Sequence, residues 1–84
     1  MNNKVLVKLT VPDIDTSYEL FIPINKKIGA IIQLLNKSIN ELTKGEYQGN
    51  TTQCLYNNYT TMRYDNNLYV IQTDIRNGTH LILI

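Results

Sequence analysis

Between Ile28 and Leu42 the apolar residues of this chain stop alternating and recur at helical spacing, and that change of period constrains the fold more than any other feature. Ile28, Ile31, Ile32, Leu35, Ile39 and Leu42 follow the i, i+3, i+4, i+7 rule of an amphipathic helix, with Gln33, Asn36, Lys37 and Asn40 on the polar side. The start is weakly specified. Lys26 and Lys27 stand where the helix dipole disfavours cations, and Gly29 costs roughly 1 kcal/mol relative to Ala in a helix interior. The spacing predicts a helix from about Lys27 to about Asn40, fading by Gly45, and stabilised mainly by packing its apolar stripe on something else.

That something is a sheet. Before the helix, Val5, Val7, Leu9 and Val11 alternate with Lys4, Leu6, Lys8 and Thr10. Pro12-Asp13-Ile14-Asp15 is turn chemistry, and a second strand from about Ser17 to Ile22 puts Tyr18, Leu20 and Ile22 on one face and Glu19 and Phe21 on the other. Pro23 ends it. After the helix, Glu46 to Asn50 reads as loop. A third strand is expected around Thr52 to Asn57, with Leu55 inward and Cys54 and Tyr56 outward. Asn57-Asn58 suits a tight turn, with Thr61 to Tyr64 returning as a short strand. Asp65-Asn66-Asn67 is a further turn, Val70 and Ile75 are expected as buried anchors, and Asn77-Gly78 turns the chain into a closing strand, Thr79 to Ile84. One helix across a mixed sheet of about five strands is the α+β arrangement that buries both apolar surfaces. The continuous apolar run Leu81-Ile82-Leu83-Ile84 suits a central strand beside the first.

Composition bounds the function. Eighty-four residues are expected to form one domain, 1–84, burying about two-thirds of the unfolded surface. A net charge of +1 supplies no clustered cations for a phosphate backbone, so no nucleic acid is expected as partner. Met1-Asn2-Asn3-Lys4 opens directly onto the alternating run, without the apolar stretch of a secretory signal. No apolar run approaches the ~20 residues that span a bilayer. The single Cys54 fits a reducing compartment. These features predict a cytoplasmic protein without direct membrane insertion, in which the N-x-T sequons at Asn50, Asn58 and Asn77 are chance products of an Asn- and Thr-rich sequence.

Chemistry-bearing residues are sparse. His80, the single histidine, falls by alternation on the outer face of the last strand and is expected as an exposed surface side chain. Cys54 and His80 are too few for a zinc site, and no cofactor is expected. Cys54 itself reads as a half-buried structural thiol. Lys26-Lys27 follow Pro23-Ile24-Asn25 rather than a Gly-rich loop, so a phosphate cradle is not expected. The six tyrosines are scattered without a basic groove, unlike the stacking platforms of single-strand binders. The outer sheet face is more informative. It should be polar, yet it carries Leu6, Phe21, Tyr56, Ile82 and Ile84 with His80. If the first strand lies between the second and the last, these are expected to cluster into a site for a protein partner or for a second copy of this chain.

The segment Val70 to Ile84 resembles the ending of ubiquitin-like domains: an apolar residue, a polar turn, an Ile, a Gly-containing turn and an L-x-L strand. More narrowly it is similar to the YukD-like family (YukD and EsaB), small ubiquitin-like proteins of type VII secretion loci. That family ends in I-x-[ND]-G-[DT]-x-L-x-[IL]-[LI]; here Ile75-Arg76-Asn77-Gly78-Thr79-His80-Leu81-Ile82-Leu83-Ile84 stands in that place. Pro23 ahead of the helix and Tyr18-Glu19-Leu20-Phe21-Ile22 also agree. The likeness departs between Glu46 and Asn67, where Asn replaces expected apolar positions. The resemblance implies a ubiquitin-like β-grasp fold and a soluble accessory or regulatory role in a type VII (ESX-like, WxG-substrate) apparatus. Membrane or ATPase components of that apparatus would be the partners, with no chemistry of the chain's own. The competing expectation is a protein modifier or sulfur carrier, disfavoured because the sequence ends at Ile84 without Gly-Gly. A catalytic domain has no constellation to support it.

Overall fold

A computed structural model describes residues 3–84; Met1 and Asn2, which belong to the signal-sequence reading, lie outside the described residues. Strand β1 (Lys4–Val11) turns through a 3-10 segment at Pro12–Ile14 into β2 (Thr16–Pro23). Helix α1 (Ile28–Leu42) follows, then β3 (Leu55–Asn57), a second 3-10 turn at Val70–Gln72, and β4 (His80–Leu83). The sheet order is β2-β1-β4-β3, with β1 and β4 parallel and both outer pairs antiparallel. The closing strand thus lies centrally beside the first, as the apolar run predicts.

Alternation delivers the core. Val7, Leu9 and Val11 of β1, Ile22 of β2, Leu55 of β3 and Leu81 and Leu83 of β4 are buried against Ile28, Ile31, Ile32, Leu35 and Ile39 of α1. Val70 and Ile75 close one side of it, as anticipated. Two further apolar core residues come from outside the regular elements: Tyr47, in the loop after the helix, and Tyr64.

The weak helix start is resolved by distant backbone. Lys27 occupies the cap position without a side-chain hydrogen bond. Instead the amide of Ile28 donates to the Leu68 carbonyl (2.8 Å) and that of Gly29 to the Asn66 carbonyl (3.1 Å), satisfying donors that the first turn leaves free. At the other end the helix runs past Asn40 to Leu42 and stops where Lys44 (φ 55°) and Gly45 (φ 86°) turn left-handed. Leu42 leaves the predicted stripe: it is 57% exposed, because the core ends at Ile39.

The sheet has four strands among the described residues rather than about five. Thr61 takes a left-handed conformation (φ 59°), costly for a β-branched residue, and the expected return strand shrinks to one bridge between Tyr56 and Arg63. The Asn57 side chain holds this turn. Its Oδ1 accepts the amides of Tyr59 (2.8 Å) and Thr60 (3.1 Å), and its Nδ2 donates to the Tyr64 hydroxyl (3.1 Å). That hydroxyl in turn donates to Asp74 Oδ1 (2.6 Å), tying the turn to the segment before β4.

Burial first, and then the hydrogen bond to Asp74, push the Tyr64 phenol up from 10.0 to about 12. The folded state therefore resists ionisation that the unfolded chain accepts. This contribution is complete below pH 10 and is lost as pH rises from 10 towards about 12, amounting to at most about 2–3 kcal/mol. Tyr64→Phe, compared with the parent by urea unfolding across that window, should show the flatter decline. Parallel pH profiles for the two proteins would contradict this coupling.

Candidate interaction surface

The helix occupies one face of the sheet, and the other face carries all six side chains singled out from the sequence. Their neighbours follow from register. Thr10 of β1 lies opposite Ser17 on one side and Ile82 on the other, and Ile82 lies opposite Tyr56, so Ser17, Thr10, Ile82 and Tyr56 form one row across the four strands. Beyond Ile82, the amide of Ile84 donates to the Cys54 carbonyl (3.1 Å) and that of Cys54 to the Ile84 carbonyl (2.7 Å), extending the β3–β4 pairing by one residue. Tyr56, Ile82 and Ile84 therefore sit together, Ile84 52% exposed and the other two half-buried.

Leu6 and Phe21 do not join them. They face each other across β1 and β2, but Leu6 lies four residues back along the strand from Thr10, roughly 13 Å away. The row between them holds Glu19, Lys8 and His80. The expected single patch is thus two: an apolar cluster at Tyr56, Ile82 and Ile84, and a separate pair at Leu6 and Phe21, with Phe21 64% exposed. The cause is the turn before β4. Asn77 Oδ1 accepts the Leu6 amide (2.8 Å) while the Gly78 amide donates to the Leu6 carbonyl (2.8 Å), so Leu6 pairs with the turn instead of with the apolar strand.

His80 is more engaged than an exposed side chain would be. It is half-buried, its Nε2 lies 2.7 Å from Thr10 Oγ1, and Thr10 Oγ1 is 2.9 Å from Ser17 Oγ. The ring of Tyr59 meets it edge-on, with centroids 6.3 Å apart and planes at 82°. Burial, and secondarily the charge of Lys8 beside it, hold the imidazole below its usual pKa. A hydroxyl beside an imidazole is the first half of an activated nucleophile. Among the described residues, however, no carboxylate hydrogen-bonds the ring, and clefts along α1 and around Arg63 to Asp65 lie elsewhere. The imidazole lies on the same face as the apolar cluster, one row from Ile82. No three His, Cys, Asp or Glu side chains converge among the described residues.

Tyr59, 78% exposed, is the member of this surface that the sequence reading passed over. It lies in the turn organised by Asn57, and no alternation marks it. Cys54 is half-buried with its thiol near the Thr52 carbonyl, in line with a structural role.

No protein-family profile matches the sequence, and no curated protein matches it. Solved structures do match by shape. The EccD5 ubiquitin-like domain from Mycobacterium xenopi superposes with a TM-score of 0.79 at 17% identity, covering 99% of this chain and 94% of that one. A chain of the MycP5-free ESX-5 inner membrane complex gives 0.80 at 15% identity over 99% of this chain, which spans only 21% of its length. Caldiarchaeum subterraneum ubiquitin gives 0.67 at 14% identity, covering 95% of this chain and 90% of that one. With one helix on a mixed sheet ordered β2-β1-β4-β3, this chain has the ubiquitin-like β-grasp fold.

Proposed function

We propose that this chain is a non-catalytic protein-interaction module of a type VII secretion system, a cytoplasmic accessory or regulatory component of the YukD/EsaB kind. It works through the apolar cluster at Tyr56, Ile82 and Ile84, bordered by His80. The observation that carries this reading is the cluster itself: three apolar side chains side by side on a sheet face that water should make polar. The choice of secretion system is supported by the likeness in shape to the EccD5 domain and to the ESX-5 inner membrane complex, together with the YukD-like ending from Ile75 to Ile84. The partner is a membrane or ATPase component of that machinery, and a second copy of this chain is the competing occupant.

Ile82→Asp and Tyr56→Asp test it. Neither side chain belongs to the buried core, so thermal unfolding should shift little. Affinity for the purified cytoplasmic segments of type VII secretion membrane and ATPase proteins should fall about tenfold or more, since an apolar anchor becomes a carboxylate that must be desolvated. Sedimentation of the same variants separates partner binding from self-association. If both variants are folded and retain every interaction of the parent, this face is not the working surface.

A further inference from the structure

On the opposite side of the molecule from the sheet's outer face, a cleft of about 520 Å³ runs between α1 and the segment from Gly49 to Gln53, with Asn66 lining it beside Gly29. Its lining contains no carboxylate and one cation, Lys37; the rest of its polar surface is Thr51 and side-chain carboxamides. Such a lining does not suit a metal ion or a polyanion. Its groups match a neutral ligand rich in hydrogen-bonding units.

Several of these carboxamides are held at one end and free at the other. Asn36 Oδ1 accepts the Tyr47 hydroxyl (2.9 Å), leaving its Nδ2 unengaged among the described residues. Asn40 Nδ2 donates to the Tyr47 carbonyl (2.8 Å), leaving Oδ1. Asn50 Oδ1 accepts both the amide (2.9 Å) and the hydroxyl (2.7 Å) of Thr52, leaving Nδ2. The Gln33 side chain, exposed on the helix, makes no hydrogen bond among the described residues, while Asn66 Oδ1 is buried without a partner. At Asn36, Asn40 and Asn50 a donor or acceptor is thus fixed in place and unspent, the arrangement that lowers the ordering cost of binding.

We infer that this cleft is a second binding site, which takes an extended polypeptide segment through its main-chain amides. A carboxamide carries the same coplanar donor and acceptor as a peptide unit, so a row of them pairs with backbone whatever the side chains are. The shape agrees. The helical side of the cleft runs from Gly29 to Asn40, about 16 Å along the axis, which is the length of about five extended residues. A compact sugar would use only part of such a row. The site is independent of the surface proposed above, so occupation of one leaves the other open.

The test is to pan a displayed random heptapeptide library on the folded full chain, then measure binding of the recovered peptides. They should share no strict side-chain motif and should shift the side-chain amide resonances of Asn36, Asn40 and Asn50. Gln33→Trp fills the cleft from an exposed helical position without touching the Tyr47 anchors, and should weaken binding about tenfold or more with unfolding unchanged. Ile82→Asp should bind as the parent does. A library that yields nothing above background overturns the inference, as do peptides that bind Gln33→Trp equally well. Chitotriose, the neutral carbohydrate probe, shifting these resonances where peptides do not would also overturn it.

Discussion

Leu81→Ala should remove about 2–5 kcal/mol of folding stability, whereas Ile82→Ala, one residue along, should remove only the roughly 0.2–1 kcal/mol of a cross-strand contact. Leu81 is fully buried at the centre of the sheet, opposite Leu9 of β1 on one side and Asn57 of β3 on the other, with the helical isoleucines in the same cluster. Truncating it opens a cavity where strands and helix meet, and a close-packed interior relaxes only in part around such a hole. Ile82 points to the free face, and its loss leaves water in contact with Thr10 and Tyr56. Because domains of this size are stable by only about 5–15 kcal/mol, the first substitution should move the urea midpoint far and the second hardly at all, with a common slope. Equal losses at the two positions would mean that the inward and outward faces of β4 are not those described.

The faces of the strands were legible because alternation alone decides them. Val7, Leu9, Ile22, Leu55, Leu81 and Leu83 needed no knowledge of their partners to be placed inside. Register was not legible in this way. Whether Leu6 or Thr10 stands beside Ile82 depends on how many residues of the Asn77-Gly78 turn pair with β1, and that is settled by one side-chain oxygen and one amide gripping Leu6. The six side chains therefore lie on the expected outer face, but in two patches instead of one. The same holds for the helix start, whose missing cap is supplied by carbonyls at positions 66 and 68, far along the chain and invisible to any local rule. The lost fifth strand belongs here too. Asn57 reads as a turn residue, and it is one, but its buried side chain reaches three backbone or side-chain partners and fixes the following turn in place of a ladder.

The segment that sequence patterns describe least is Glu46 to Gln53, and its anchor is Tyr47. It is buried (3% exposed) in a stretch without periodicity. Its hydroxyl donates to Asn36 Oδ1 and accepts from Gln53 Nε2, its carbonyl accepts from Asn40, and its amide donates to Thr43 Oγ1 (3.0 Å). The hydroxyl and the backbone of this one residue thus pin the loop to Asn36 and Asn40 of α1 and to Thr43, which caps it. Tyr47→Phe should cost about 1–3 kcal/mol, since it keeps the ring but leaves the amide of Gln53, itself buried, short of a partner. Tyr47→Ala should cost about 3–5 kcal/mol by adding the cavity of an aromatic ring. The two steps separate hydrogen bonding from packing, and urea unfolding of both variants measures them. Amide exchange should locate the damage: residues 46–53 lose protection in both variants, while β1 and β4 fall only as far as global stability falls. If Tyr47→Ala costs less than about 1 kcal/mol, the loop is not held by this ring and the cleft beside it has no fixed wall.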